Sequence, residues 1–269
     1  MNGRAVAIAR KDVADAGRSW ALWAVVGALV LFTGGTAALF GVAADAEPGQ
    51  VIGVVAQLSA TVFPIVALFV AKGSITSERE SGSLRTLLAL PPSRREVVIG
   101  KFLGRTALVT LATLAGVTVT AVALFTTGNG VGPGLFVPFA VAVWAIAVGF
   151  VAVGIGISAA VPTDGWATGV TVGTFLVTVV LWSPLTQGVT WLTAELGLAS
   201  SRAEAWWIDL FGMLVPNEAA VAVLEASHAG RVFATDPLAS VYLPGAILLL
   251  WTILPVAVGY TRFRGADLG

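Results

Sequence analysis

Few side chains in this chain could perform chemistry, and their spacing excludes most reactions. A phosphate-binding loop needs G-x-x-x-x-G-K-(S/T), whose amides and lysine hold the phosphates. Gly100-Lys101 comes nearest, but Arg95 stands where the first glycine belongs and Phe102 follows the lysine. The chain is therefore not expected to hydrolyse ATP by itself. A serine nucleophile on a G-x-S-x-G elbow fails at Gly156-Ile157-Ser158-Ala159-Ala160, where alanine ends the motif. There is no H-E-x-x-H pair and no cysteine, and the chain has one histidine, His228, and two methionines, Met1 and Met213. Thiolate chemistry and disulfides are excluded together, and one histidine and two methionines offer almost nothing for binding a soft metal. Asp164, in the turn Pro162-Thr163-Asp164-Gly165, reads as a turn and helix cap in preference to a proton relay. His228 reads as an ordinary surface histidine.

The charged residues that remain are concentrated in one loop. Residues 72 to 101 hold Lys72, Arg79, Arg85, Arg94, Arg95 and Lys101, six of the 15 basic residues. Ser77 to Glu80 and Ser93 to Glu96 both have the S-x-x-E form that caps a helix, so two helices are expected, separated by Pro91-Pro92. The first spans 77 to 90 and sets Leu84, Leu87, Leu88 and Leu90 beside Glu78, Arg79, Glu80 and Arg85. Its apolar surface is too small to fold alone and calls for a partner. The second starts near Arg94 and runs directly into a hydrophobic stretch.

The elements that position this loop follow from composition. The chain of 269 residues is 57% hydrophobic and 11% charged, against about 25% charged for a soluble domain. A helix needs roughly 20 apolar residues to cross a bilayer. Stretches without Asp, Glu, Lys or Arg run from 19 to 44, 48 to 71, 106 to 163, 165 to 194 and 237 to 261. The glycine-rich string Gly128 to Gly134 divides the third, and Ser183-Pro184 is expected to end the helix of the fourth. The reading is an all-α polytopic membrane protein forming one domain, 1–269, with six transmembrane helices at 19–44, 48–71, 106–127, 135–160, 166–183 and 238–261. The first apolar run is too long for the h-region of a cleaved signal peptide. Basic residues mark cytoplasmic loops. With the N-terminus inside, 13 of the 15 fall on that side, only Arg202 and Arg231 fall outside, and both termini are cytoplasmic.

Residues 1–18 are expected to form an interfacial helix, with Val6, Ala9, Val13, Ala16 and Trp20 facing lipid and Arg4, Lys11, Asp15 and Arg18 opposite. The segment 184–237 carries Trp191, Trp206, Trp207 and Phe211 among scattered acids, so short helices at the outer surface are expected between spans five and six. A seventh span through 203 to 224 would bury Glu204, Asp209 and Glu218 and is disfavoured. With no acid expected inside a span, a proton- or cation-driven transporter lacks its usual midplane group, and energy must come from a partner. Gly169-x-x-x-Gly173 reads as helix packing, and Pro64 as a hinge or a static kink.

The N-terminal string IARKDVADAGRS, the six spans and above all ITSERESGSLRTLLALPPSRREVVIGKFLGR resemble the membrane subunit of an ABC transporter of the type-2 exporter class. The specific motif covers residues 75 to 105: Glu78 to Leu84, Leu87-Leu88, Pro91 to Arg94 and Gly100-Lys101. Within the family the chain is similar to archaeal permeases of the copper-processing, nitrous-oxide-reductase maturation group. The resemblance implies that 77–90 is the coupling helix, docking on an ATP-binding subunit through Glu78, Arg79, Glu80, Gly82, Leu84, Leu87, Leu88 and Arg94. It further implies ATP and Mg in that partner and no cofactor in this chain, a second permease subunit forming a homodimer, a plasma-membrane location and no nucleic acid. The rival reading is a polytopic scaffold or assembly factor that recruits a cytoplasmic partner without transport. A membrane-embedded enzyme has no catalytic constellation to support it.

Overall fold

The structure, a computed structural model, describes residues 3–43, 47–83, 93–128, 130, 132–198 and 206–266, and among them the regular elements are helices. They are α1 (Gly3–Gly17), α2 (Trp20–Ala43), α3 (Pro48–Ala71), α4 (Thr76–Glu80), α5 (Arg94–Thr126), α6 (Pro133–Ala160) and α7 (Asp164–Phe175). A π-helical turn, Leu176–Leu181, joins α7 to α8 (Trp182–Glu195), and α9 (Trp206–Gly212), α10 (Pro216–His228) and α11 (Tyr242–Arg264) follow.

Local chemistry sets the ends of these helices. Ser93 and Glu96 form a complete capping box at the start of α5, so that helix continues unbroken from the charged loop into apolar sequence. Pro48 and Pro133 open α3 and α6, where the missing N–H is one of the unpaired four in any case. The helix α3 runs through Pro64 without a break. Five helical stretches are long and apolar enough to cross a membrane: Pro48–Glu80, Arg94–Thr126, Pro133–Ala160, Asp164–Glu195 and Tyr242–Arg264. Beside them, α2 is 24 residues long with no charged side chain.

At the centre stands α6, packed against α3, α5, α10 and α11, with Phe139, Ile146, Phe150, Val151 and Ile155 buried. Lipid is as apolar as leucine, so helices in a bilayer are held by close van der Waals approach at small residues. A Cβ at Gly156 would overlap the backbone carbonyl of Pro255, and one at Gly154 would lie 2.6 Å from the Cβ of Ala71. These two glycines clamp α6 to α11 and α3. Nothing lies within 4 Å of a Cβ placed on Gly169 or Gly173, so that pair makes no close helix crossing among the described residues.

Two expectations are corrected. The helix beginning at Asp164 does not end at Ser183-Pro184; it continues to Glu195. Proline removes an i→i−4 bond and clashes with the preceding turn, and the wider π turn immediately before Trp182 absorbs that loss. The segment after Glu195 does not simply lie on the surface either. The axes of α9 and α10 are bent by 116°, and α10 enters the bundle, burying Pro216, Asn217, Ala219, Ala220, Leu224 and Ala226.

Its depth follows from α6. His228 meets the carbonyl of Leu135 at 3.1 Å, whereas Pro216 lies 3.7 Å from a Cβ built on Gly149. The 14 residues between Leu135 and Gly149 span about 21 Å, half of the roughly 42 Å helix. The tip of the hairpin thus reaches mid-height, and its non-helical carbonyls need donors there. Trp182 supplies one to Gly212 at 2.9 Å and Trp251 another to Leu214 at 2.7 Å. Glu218 follows the tip directly, so an acid expected at the outer surface stands beside the middle of α6.

Candidate functional site

One end of the bundle gathers α1, α4, the start of α5, the α6–α7 turn and the end of α11. The helix α1 reaches it by lying flush on α5. Its buried residues are Ala5, Ile8 and Asp12, a single stripe at helical spacing. A Cβ on Gly100 would come 2.7 Å from that of Ile8, and one on Gly104 2.9 Å from Oδ2 of Asp12. Gly100-x-x-x-Gly104 is therefore the seat of α1. On the face expected to meet lipid, Val6 and Trp20 are exposed, while Ala9, Val13 and Ala16 are half-buried.

Lys101, on the same helix, is 7% exposed and joins three elements. Its Nζ donates to Oδ1 of Asp12 at 3.0 Å and to Oε1 of Glu78 at 2.6 Å. One turn later, Arg105 donates through Nη2 to Oδ1 of Asp12 at 3.2 Å and sets Nε 2.9 Å from Oδ2. Two cations and two carboxylates make a neutral cluster, which is the condition for burying charge. It borders a cleft of about 360 Å³ that also receives Asp15, Lys72 and Ser74.

The short helix α4 is seated from its other side by the α6–α7 turn. Oγ of Ser158 accepts from the amides of Ile75 at 3.0 Å and Thr76 at 3.2 Å. A serine 82 residues away in sequence from Thr76 thus serves the free amides at the start of α4. Thr76 Oγ1 donates to Oδ1 of Asp164 at 3.0 Å, and Oε1 of Glu80 accepts from the amide of Asp164 at 2.8 Å. Lys72 Nζ reaches Oγ1 of Thr168 at 2.9 Å. Gly73 turns at φ +73°, and a Cβ there would sit 2.7 Å from Oδ1 of Asp164.

Arg94 secures a third junction. Its Nη1 donates to the carbonyls of Phe263, Arg264 and Ala266 at 2.6, 3.1 and 2.8 Å, a cation on the free carbonyls of a helix C-terminus. The guanidinium groups of Arg79 and Arg94 both lie over the Phe263 ring, at 5.6 and 5.4 Å from its centroid. Arg79 Nη1 also donates to Val161 O at 2.9 Å.

Glu78, Arg79, Glu80 and Arg94, all proposed from sequence, thus meet at one end of the bundle. Gly82 adopts φ +74° with open space around it, and this left-handed turn closes α4 after Glu80. Leu84, Leu87, Leu88 and the Pro91-Pro92 break lie outside the described residues. The expected cap at Ser77 is corrected: α4 begins after Ile75, whose own side chain makes no cap, its first amides are served by Ser158, and Glu80 serves Asp164 instead. Sequence reasoning missed Asp12, Arg105, Ser158 and Phe263 as members of this site, and held Lys101 as part of the family motif without the partners it has here. The signal available for Asp12 was its place on the Ala5-Ile8 stripe, where an acid is unexpected. The arrangement contains no catalytic constellation, and among the described residues no group of three or more His, Asp or Glu could hold a metal. Chemically it is a mechanical joint, tying the segment that carries α4 to the ends of several long helices.

Comparison with known proteins bears on what the joint serves. A family model described as ABC-2 family transporter protein matches residues 6–268. The chain is similar to a probable ABC transporter permease protein NosY of Pseudomonas aeruginosa, 36% identical over 114 residues, 40% of this chain and 41% of that protein. It is also similar to the protein of that name from Stutzerimonas stutzeri, 33% identical over 133 residues and 48% of each chain. The chain spans less than half the length of each of these relatives.

Proposed function

Because the chain belongs to the ABC-2 family of transporter proteins, we propose that it is the permease subunit of an ATP-driven exporter, with ATP and Mg bound by a separate ATP-binding subunit. The permease pairs with a second copy in the plasma membrane, and its charged end, with both termini, faces the cytoplasm. Thirteen of the 15 basic residues fall on that side, which supports the orientation. The ATP-binding subunit grips the segment 77–90, and its closure moves α4. The two copies then rock along a path between α3 of one and the α7–α8 rod of the other.

The observation that carries this reading is Lys101, one buried ammonium bonded to both α1 and α4. A displacement of α4 cannot occur without loading α5, the 33-residue helix that Lys101 belongs to. Glu78→Ala, Glu80→Ala or Leu87→Asp should uncouple transport from hydrolysis while leaving membrane insertion intact. The test reconstitutes the permease with its ATP-binding subunit and measures hydrolysis and ATP-dependent export together. Co-purification at wild-type yield with unchanged stimulated turnover in all three variants would contradict the reading.

A further inference from the structure

Two cavities adjoin the last turn of α3. One is the cleft of about 360 Å³ beside Lys101, and the other is an apolar groove of about 220 Å³ between α3 and α7. Phe69 and Lys72 line both. The charge-free run of α3 ends at Ala71, so Lys72 stands where hydrocarbon gives way to headgroups, whichever way the chain is oriented.

The groove runs from that level into the apolar layer. Lys72 Nζ donates to Oγ1 of Thr168 at 2.9 Å, which sets the two helices in register. Ile65 lies seven residues back along α3 and Phe175 seven residues on along α7, each about 10 Å deeper. Ile65, Leu68, Phe69, Val172 and Phe175 supply its apolar walls. About 4.5 Å below Thr168, the groove is also lined by Thr171, 6% exposed, whose Oγ1 has no partner. A buried hydroxyl thus stands between the charged level and the apolar depth.

The cleft supplies charge of both signs. Within it Asp12, Glu78, Lys101 and Arg105 satisfy one another, which leaves Lys72 and Asp15 with capacity to spare. Lys72 meets Asp164 only at 4.0 Å, and Asp15 meets the exposed Arg18 at 3.9 Å. Ser74, buried in the same lining, has an Oγ with no partner. An ammonium beside an unused hydroxyl suits a phosphate, and a carboxylate in the same cleft suits a second ammonium.

We infer that this junction holds one membrane phospholipid with a zwitterionic, ammonium-bearing headgroup. Its phosphate lies on Lys72 and Ser74, its ammonium toward Asp15, an ester carbonyl on Thr171 and one acyl chain in the groove. Charged cleft, buried hydroxyl and apolar groove succeed one another in the order in which a phospholipid presents phosphate, ester and chain. A net-anionic headgroup fits less well, because the three acids lining the cleft offset its three bases and leave no excess positive field. Every part comes from a single copy, so the site does not depend on the permease reading. The lipid ties the seat of α4 to the surrounding membrane.

The test equilibrates the chain, in detergent micelles, with phosphatidylethanolamine carrying a photoactivatable diazirine on one acyl chain, and maps the crosslinks by mass spectrometry. Labels should concentrate on residues 65 to 69 and 172 to 175. Unlabelled phosphatidylethanolamine should displace the probe about tenfold better than phosphatidylglycerol, and Asp15→Asn should remove that preference. Lys72→Gln should weaken labelling about tenfold. Val172→Trp and, independently, Ile65→Trp fill the groove from exposed positions and should each abolish it. Leu111→Trp, at an exposed position on α5 outside both cavities, should leave it unchanged. Labels spread evenly over the apolar helices, labelling of the groove that survives both tryptophans, or equal displacement by phosphatidylglycerol would overturn the inference.

Discussion

Replacing Lys101 with Met removes the ammonium shared by Asp12 and Glu78 while keeping most of its apolar stem. The two carboxylates then fare differently. Asp12 keeps Arg105 at 2.9 Å and 3.2 Å. Glu78 loses its one ion-pair partner among the described residues, and its Oε2 already lies buried without a donor. Removing one member of a buried pair costs about 3–5 kcal/mol. Because the Glu78 side chain is 25% exposed, solvent relieves part of this, and about 2–3 kcal/mol is expected. Glu78→Gln alone leaves Lys101 on Asp12 at 3.0 Å and keeps an acceptor, so it should cost about 1 kcal/mol. The double variant buries no orphan carboxylate and should be more stable than Lys101→Met. Unfolding of the four proteins in mixed detergent and lipid micelles measures the cycle. If Glu78→Gln fails to recover stability in the Lys101→Met background, the shared-cation account of the joint is refuted.

Other consequences are simpler. Gly100→Ala places a methyl 2.7 Å from Cβ of Ile8 and 2.9 Å from the Ala5 carbonyl oxygen and should destabilise by about 1–3 kcal/mol in the same unfolding assay; Ile8→Ala keeps the Cβ that clashes and should not restore the loss. Ser158→Ala leaves the amides of Ile75 and Thr76 without their acceptor, and hydrogen exchange at those two amides should accelerate while α6 stays protected. Trp251→Phe withdraws the donor from Leu214 O and should cost about 1 kcal/mol, with added protease sensitivity confined to residues 206 to 228.

Much of the helical frame was legible because its signals are local. Charge-free runs marked the apolar helices, and Ser93-x-x-Glu96 marked the start of α5 through a cap that needs no distant residue. The same four-residue pattern at Ser77-x-x-Glu80 misled, since the amide of Asp164 competes for the Glu80 carboxylate and only the folded chain brings it near. Pro184 misled similarly, because a π turn upstream lets the helix pass it. Gly169-x-x-x-Gly173 and Gly100-x-x-x-Gly104 look alike, yet only the second has a helix seated on it. The Asp12, Lys101 and Arg105 cluster could not be read from spacing, as its acid and bases stand 89 and 93 residues apart. Glu218 was misplaced with the outer loop, because a re-entrant hairpin interrupts its apolar residues with acids and so fails a search for charge-free runs. Trp251, in the interior of α11 and away from the ends where tryptophan usually anchors a span, was the available sign that a backbone carbonyl lay inside.

The central claim, that the segment containing α4 is the grip of an ATP-binding subunit, is tested most directly by crosslinking from its exposed turn. Ser81 and Ser83 are solvent-exposed beside Glu80, and a cysteine at either is the only thiol in the permease. With the co-expressed ATP-binding subunit, a short bis-maleimide should join the two chains from the cytoplasmic side, with a yield that changes on adding ATP and Mg. Labelling of these cysteines from the outer face, or the absence of any crosslink in a complex that still hydrolyses ATP, would contradict it.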